Sequence, residues 1–265
     1  MDLNLLRNDR ISLKMHEELL NLDVIDNVSE AKQPYYLGSG KNHYLTDKII
    51  DSIEPVDNFT LLVYDAHIDY TEDEVVKSMD THFHYKPDKF MTCGNWIYST
   101  IKKHPDCNVL IVGPDSTVID VPALTVLSPD EAGYVLVASR QPVYVSVDLD
   151  VLNTKLSLEM GEWNTGKMNL ESLLNSIRFL AKNNNIIGFD VCGHSMHSLD
   201  VDFNTLCITA RVLNAYTNKV KDEDLINSLN ASRKKARLYS MVYNLFSNVI
   251  HAVMQCDSSY WLADD

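Results

Sequence analysis

The sequence predicts an α/β layer sandwich built on a parallel sheet. Short apolar runs that end in polar residues recur along the chain, and longer stretches with helical periodicity separate them. The scale fits as well: 265 residues, 45% hydrophobic and 23% charged, have the composition of a globular domain able to cover both faces of a sheet.

The first strand is expected at Pro34 to Leu37, followed by a helix at Tyr44 to Ile53 and a second strand at Thr60 to Tyr64. A helix at Asn95 to Lys103 precedes strands at Cys107 to Val112, Ala123 to Val126 and Val143 to Val147. Leu170, Leu173, Leu174, Ile177 and Leu180 recur at helical spacing behind a capping Asn169, so Leu170 to Lys182 reads as an amphipathic helix. The last strand is Ile186 to Val191. From Asn204 to about Tyr260 the pattern is helical, interrupted at Lys219 to Asp224, with Leu238, Val242, Leu245, Val249 and Val253 near one face. Nothing resembles a linker or repeat, so residues 1–265 read as a single domain with a helical C-terminal tail.

Charge excludes some partners. With 23 Lys and Arg against 37 Asp and Glu, a formal −14, the chain lacks the cation excess that non-specific nucleic-acid binding requires. No stretch approaches the roughly 20 apolar residues of a membrane span, and MDLNLLRNDR has no signal-peptide core. The five cysteines (Cys93, Cys107, Cys192, Cys207, Cys256) are odd in number and form no Cys-x-x-Cys pair, which reads as reduced thiols in a cytoplasmic protein.

In open parallel sheets ligands gather at the carboxyl ends of strands. After LLVY come Asp65, His67 and Asp69 in DAHID, and after VYVSV come Asp148 and Asp150. At period two in an extended segment each set points to one side, where clustered acids repel unless a cation lies between them. His43, in GSGKNH after the first strand, is expected at the same edge. Four carboxylates and two imidazoles without a thiolate suit a pair of divalent ions such as manganese. Such a pair activates water as a nucleophile.

DAHID resembles the DAHxD signature of the ureohydrolase superfamily, the arginases, agmatinases and formiminoglutamases. SVDLD at 146–150 resembles that family's SxDxD, and GKNH at 40–43 stands where the family has GGDH. The similarity continues through Gly161 to Leu174 and GFDV at 188–191, covering most of residues 34–215. It implies a three-layer α/β/α sandwich and a dimanganese centre (two Mn2+) held by His43, Asp65, His67, Asp69, Asp148 and Asp150. The implied chemistry is hydrolysis of a guanidinium carbon–nitrogen bond to urea and an amine. Asp69 would both bind metal and carry the proton to the leaving nitrogen. Family members often assemble as trimers or hexamers, so the resemblance allows a homo-oligomer, while the sequence itself does not reveal the oligomeric state.

The sequence also departs from the family. Cys93-Gly94 stands where arginases have a His-Gly whose histidine assists proton transfer, leaving His82 or His84 as replacements or as ordinary loop residues. Gly193 stands in place of the glutamate that pairs with the guanidinium, beside His194; Asp190 reads as structural. The segment between Asp69 and Cys93 lacks the Asn/Thr/Ser run that reads free arginine, and it carries Glu72, Asp73 and Glu74. Only about 35 residues precede the first ligand strand, fewer than in typical members, and a more open site mouth is expected from that. Peptidyl arginine, converted to ornithine as by the family's peptide arginases, is therefore expected ahead of free arginine or agmatine. Tyr70, Cys93, Trp163 and His194 are the candidate substrate contacts, and Trp96 is expected to pack in the core. Two alternatives stand beside this: a deacetylase-like amide or formimino metallohydrolase, and a metal-binding homologue without turnover.

Overall fold

The computed structural model describes residues 34–38, 40–53, 58–71, 91–114, 120–153, 166–193, 203–218, 220–228 and 230–231. Six strands, β1 (Tyr35–Tyr36), β2 (Thr60–Tyr64), β3 (Asn108–Val112), β4 (Leu124–Val126), β5 (Val143–Asp148) and β6 (Ile186–Cys192), lie at the six expected places. They form one sheet in the order β1-β6-β5-β2-β3-β4, and every pairing is parallel.

The helices are α1 (Leu45–Ser52), α2 (Trp96–Lys103), α3 (Pro129–Ser139), α4 (Leu170–Asn183) and α5 (Phe203–Thr217). The Asn169 side chain accepts the Glu171 backbone N–H at 2.8 Å, so the expected cap of α4 is made. The left-handed Asn218, at φ 49°, follows the end of α5, where a break was expected. Helix α3 was not among the sequence expectations. Its start is written locally: Ser128 Oγ accepts the Glu131 N–H, the Glu131 carboxylate accepts the Ser128 N–H, and a proline opens the first turn.

Period-two alternation divides the strands between two cores. On one face Leu62, Tyr64, Val145 and Val147 pack with Leu136 of α3, Leu173 and Ile177 of α4 and Val212 of α5. On the other Leu61, Val63, Val109 and Ile111 pack with Ile50 of α1 and Trp96 and Ile97 of α2. The result is a three-layer α/β/α sandwich. Each fully buried aliphatic chain contributes about 1.5–3 kcal/mol.

From β2 the chain steps outward through β3 and β4, then returns to β2's other flank as β5 and steps away through β6. The strand order reverses between β2 and β5, the point at whose carboxyl ends open parallel sheets form their ligand crevice. Residues Met1–Lys219 form one compact unit and Val220–Asp265 a second, in which 222–228 is helical. Among the described residues no helix is long and apolar enough to cross a membrane.

Candidate metal centre

The two acid clusters end β2 and β5, the strands that flank the crevice. They converge by turning, which differs from the extended geometry expected from sequence. Asp65 directly follows β2 and Asp69 takes a left-handed φ of 49°, while Asp150 sits in a 3-10 turn, Leu149–Val151, after Asp148. That turn is closed by Asp148 Oδ1, which accepts the Asp150 N–H at 3.0 Å. Asp65 Oδ1 accepts the His67 N–H at 2.6 Å, and Asp150 Oδ1 accepts the Ala66 N–H at 3.0 Å, tying the two loops together.

His43, fully buried, brings Nδ1 to 3.2 Å from Asp65 Oδ2, 3.0 Å from Asp69 Oδ2 and 3.8 Å from Asp148 Oδ2. His67, about a third exposed, brings Nδ1 to 3.3 Å from Asp65 Oδ1 and 2.8 Å from Asp150 Oδ2. Among the described residues three nests of ligand atoms result, two of them around Asp65: His43, Asp65 and Asp69 in one, Asp65, His67 and Asp150 in another, and His43, Asp148 and Cys192 in the third. Asp65 belongs to the first two and turns a different oxygen to each imidazole, the geometry of a bridging carboxylate.

The tautomer of His43 follows from its second nitrogen. Ser146 Oγ lies 2.6 Å from Asp190 Oδ1, an acceptor, so its proton goes there and it accepts the His43 Nε2–H at 2.9 Å. In the neutral ring Nδ1 carries the lone pair; it is buried, makes no hydrogen bond, and faces oxygens that are themselves acceptors. A cation resolves that conflict. The Asp190–Ser146–His43 chain orients a metal ligand from behind, as second-shell carboxylates do. Register explains the chain: Ser146 pairs with Asp190 across β5 and β6. Asp190 is wholly buried and also accepts the Tyr144 hydroxyl at 2.7 Å, so its structural reading is refined to an anchor of the site.

The electrostatics fit the same picture. Burial, then the charges of Asp69 and Asp150, push Asp65 well above the ordinary carboxylate range; burial and the Asp150 charge push Asp148 up to about 7. Hydrogen bonds to Asp150 and Asp65 raise His67 to about 10. Burial pulls His43 down, but the nearby Cys192, then Asp65 and Asp69, raise it well above its ordinary value. Without a cation, protons hold the acids together. The hard oxygen and imidazole donors, the shared carboxylate and the orphaned Nδ1 fit a pair of divalent ions, which would displace those protons.

Trp96 does more than the expected packing. Its indole N–H donates to Asp69 Oδ2 at 2.8 Å and its ring lies 4.7 Å from the His43 ring. The Ile97 N–H of the same helix holds the Asp69 carbonyl at 3.3 Å, so α2 fixes both backbone and side chain of Asp69. Sequence carried little sign of this, because a tryptophan at a helix start reads as core.

Cys93 is half-buried in the turn before α2 and senses the charges of Asp69, His43 and Asp148. Burial and Asp69 push its thiol up, so it stays protonated at neutral pH and does not replace a proton-shuttling imidazole. Tyr70 is partly buried and stacks edge-on with Tyr98 of α2, 5.5 Å between ring centroids. Trp163, His194, His82, His84 and the Glu72–Glu74 run lie outside the described residues. Gly193 has φ 102°, and a Cβ there would lie 2.4 Å from Asp148 Oδ1 and 2.6 Å from the Leu149 nitrogen. The backbone that places Asp148 therefore excludes a glutamate at 193. Cys192, unremarked as a site residue from sequence, lies 3.3 Å from Asp148 Oδ2.

A parallel α/β/α sandwich with paired acid and histidine clusters across its strand-order reversal defines an α/β protein with a candidate two-ion site at the carboxyl ends of β2 and β5. The Arginase family profile matches residues 18–216, well over half of the chain, and the chain belongs to that family. Among curated relatives, an uncharacterized protein of Thermotoga maritima is 31% identical over 158 residues, 60% of this chain and 56% of that protein. Among solved structures, a formimidoylglutamase from Bacillus subtilis has a TM-score of 0.53 at 16% identity, covering 77% of this chain and 66% of that one. A hypothetical agmatinase from Burkholderia thailandensis has a TM-score of 0.50 at 18% identity, covering 84% and 67%. At such identities the structural likeness is one of fold. The match spans little more than half the length of the curated relative.

Proposed function

We propose that the chain is a metal-dependent hydrolase that cleaves a guanidino carbon–nitrogen bond to release urea, with arginine in a peptide, converted to ornithine, as the preferred substrate. The observation that carries the reading is the six-residue set His43, Asp65, His67, Asp69, Asp148 and Asp150, gathered at one crevice around the orphaned His43 Nδ1. When bound there, two divalent ions, manganese by the hardness of the donors, supply a water-derived nucleophile at neutral pH.

The chain's own residues do the rest. Asp65 spans its two nests and fixes their separation. Ser146 and Asp190 hold the His43 ring with its lone pair inward, and Trp96 and Ile97 hold Asp69. Asp69 is the proton carrier, taking a proton from the attacking water and giving it to the departing amine nitrogen. Cys93, its thiol pushed up by burial and by the Asp69 charge, is protonated at neutral pH and does not serve as a base.

Preference for a peptide follows from the balance of binding energy. Gly193 offers no carboxylate to a guanidinium, and the ligand aspartates are neutralised once dications are bound. Binding energy must then come from parts of the substrate remote from the reacting carbon. A peptide has such parts and agmatine does not. The reading is tested by incubating the manganese-loaded full chain with arginine, agmatine and arginine-bearing peptides and measuring urea. Urea from peptides at the highest kcat/KM is expected; no urea from any of the three overturns it.

The same glycine favours a second reading, hydrolysis of a formimino or amide group that needs no guanidinium partner. Release of formamide or acetate without urea would establish it in place of the first.

A further inference from the structure

The family set of six candidate ligands leaves one soft donor in the crevice unexplained. Cys192 ends β6, directly across from Asp148 in the parallel ladder, two residues beyond Asp190 on the same face. It is fully buried. Its Sγ lies 3.3 Å from Asp148 Oδ2, the oxygen that His43 Nδ1 approaches to 3.8 Å. Sulfur, a His43 ring nitrogen and an Asp148 oxygen all lie within 4.8 Å of one another, a ligand nest in its own right. The buried, orphaned Nδ1 independently marks this side of the crevice as the place for a cation.

We propose that Cys192 is an additional ligand of the centre, binding as thiolate to the ion held by His43 and Asp148 and shifting that position toward a softer divalent ion than manganese. Gly193 is part of the arrangement: with no side chain and a positive φ it lets the strand end close against Asp148, which keeps Sγ next to that carboxylate. On binding, the S–H bond is replaced by a sulfur–metal bond and one proton leaves to solvent, with no change of oxidation state. The two ion positions become inequivalent. The His67–Asp150 side offers only oxygen and imidazole, while the His43 side adds a thiolate, the donor that favours zinc over hard ions.

The inference rests on the metal-centre reading but not on any substrate, so it is tested without turnover. Metal-stripped full-length protein is titrated with cobalt(II), following uptake by elemental analysis and the near-ultraviolet spectrum together. The expected result is a sulfur-to-cobalt charge-transfer band that grows with binding, survives Cys93→Ser and is lost in Cys192→Ser. Competition should show that Cys192→Ser lowers the zinc-to-manganese affinity ratio by about tenfold or more, the scale on which even outer-shell partners change metal affinity. If Cys192→Ser does not fold, zinc X-ray absorption of the Cys93→Ser protein should show a sulfur scatterer at about 2.3 Å. Cobalt bound without the band, a band retained in Cys192→Ser, or zinc with only nitrogen and oxygen neighbours overturns the proposal and leaves the six-ligand reading intact. No cobalt uptake at all overturns both.

Discussion

Gly193→Ala places a methyl group where the structure leaves no room, and its consequence can be divided into two parts. A Cβ at this position lies 2.4 Å from Asp148 Oδ1, 2.6 Å from the Leu149 nitrogen and 3.0 Å from the Leu149 Cβ, on a residue whose φ is 102°. Backbone strain at such a φ costs about 1–3 kcal/mol. Overpacking against buried backbone and carboxylate costs about 1–3 kcal/mol more. Gly38→Ala isolates the first part, because Gly38 has φ 73° and its Cβ would meet nothing nearer than Asn42 Nδ2 at 4.0 Å. Urea denaturation of metal-free protein should show Gly38→Ala destabilised by about 1–3 kcal/mol. Gly193→Ala should lose roughly 2–6 kcal/mol, a large share of the ~5–15 kcal/mol of an ordinary domain. Because the clash falls on Asp148, Gly193→Ala should also lose metal on dialysis while Gly38→Ala keeps it. Equal losses in the two variants, with metal retained in both, would refute the argument that Gly193 is required by Asp148.

Ser146→Ala removes the acceptor for His43 Nε2–H and one donor to buried Asp190. Metal affinity should fall about 10- to 100-fold by isothermal titration, with stability lowered by about 1–3 kcal/mol for the unpaired groups. Trp96→Phe keeps most of the ring against His43 but deletes the N–H to Asp69, so kcat should fall while KM changes little; an unchanged kcat would remove Trp96 from the site. Metal-free protein should lose stability as pH rises. His67, raised to about 10, contributes stability that is full below its ordinary value near 6.5 and lost as pH climbs through 10. Asp148, raised to about 7, holds a proton in the folded state that the unfolded chain has already released, so stability also falls between about pH 4 and 7. Thermal melts in chelator should show Tm falling from pH 5 to 9, and the gain in Tm on adding metal should grow over the same range. A chelated protein that stabilises with rising pH would contradict the cluster's charge balance.

The fold was legible because each strand is a short apolar run bounded by polar residues, and Thr60–Tyr64 lies where it was expected to the residue. Helix α3 was not found, although Ser128-Pro-Asp-Glu131 announces its start. Its apolar residues run almost continuously: Ala132 and Leu136 are buried while Tyr134, Val135 and Val137 are exposed, so no single face stands out. In the site, DAHID and DLD were readable because acids at strand ends are chemically conspicuous. Ser146 was legible only as a motif letter in SVDLD, and Trp96 and Cys192 not as site residues at all, since each acts through a contact that exists only once β5, β6 and α2 are assembled. Ser146 and Cys192 are placed by strand register, a long-range quantity that spacing along one segment does not contain.

That register also explains why the centre is asymmetric. The His43 side draws on β5 and β6 together, whose row Ser146–Asp190 and Asp148–Cys192 puts a hydroxyl, two carboxylates and a thiol side by side under full burial. The His67 side draws on the loops after β2 and β5, is about a third exposed at His67, and meets no such row. A buried, preoriented position pays its desolvation when the chain folds and binds its ion with a fixed ligand set. A partly exposed position exchanges its ion and its water more readily. Stepwise metal loading is the consequence: one ion should bind tightly and slowly at the His43 side, the second weakly and fast at the His67 side. His67→Ala should then abolish only the weak step in a calorimetric titration, whereas His43→Ala should abolish the tight one. A single step lost whole in either variant would show the two positions to be one cooperative unit.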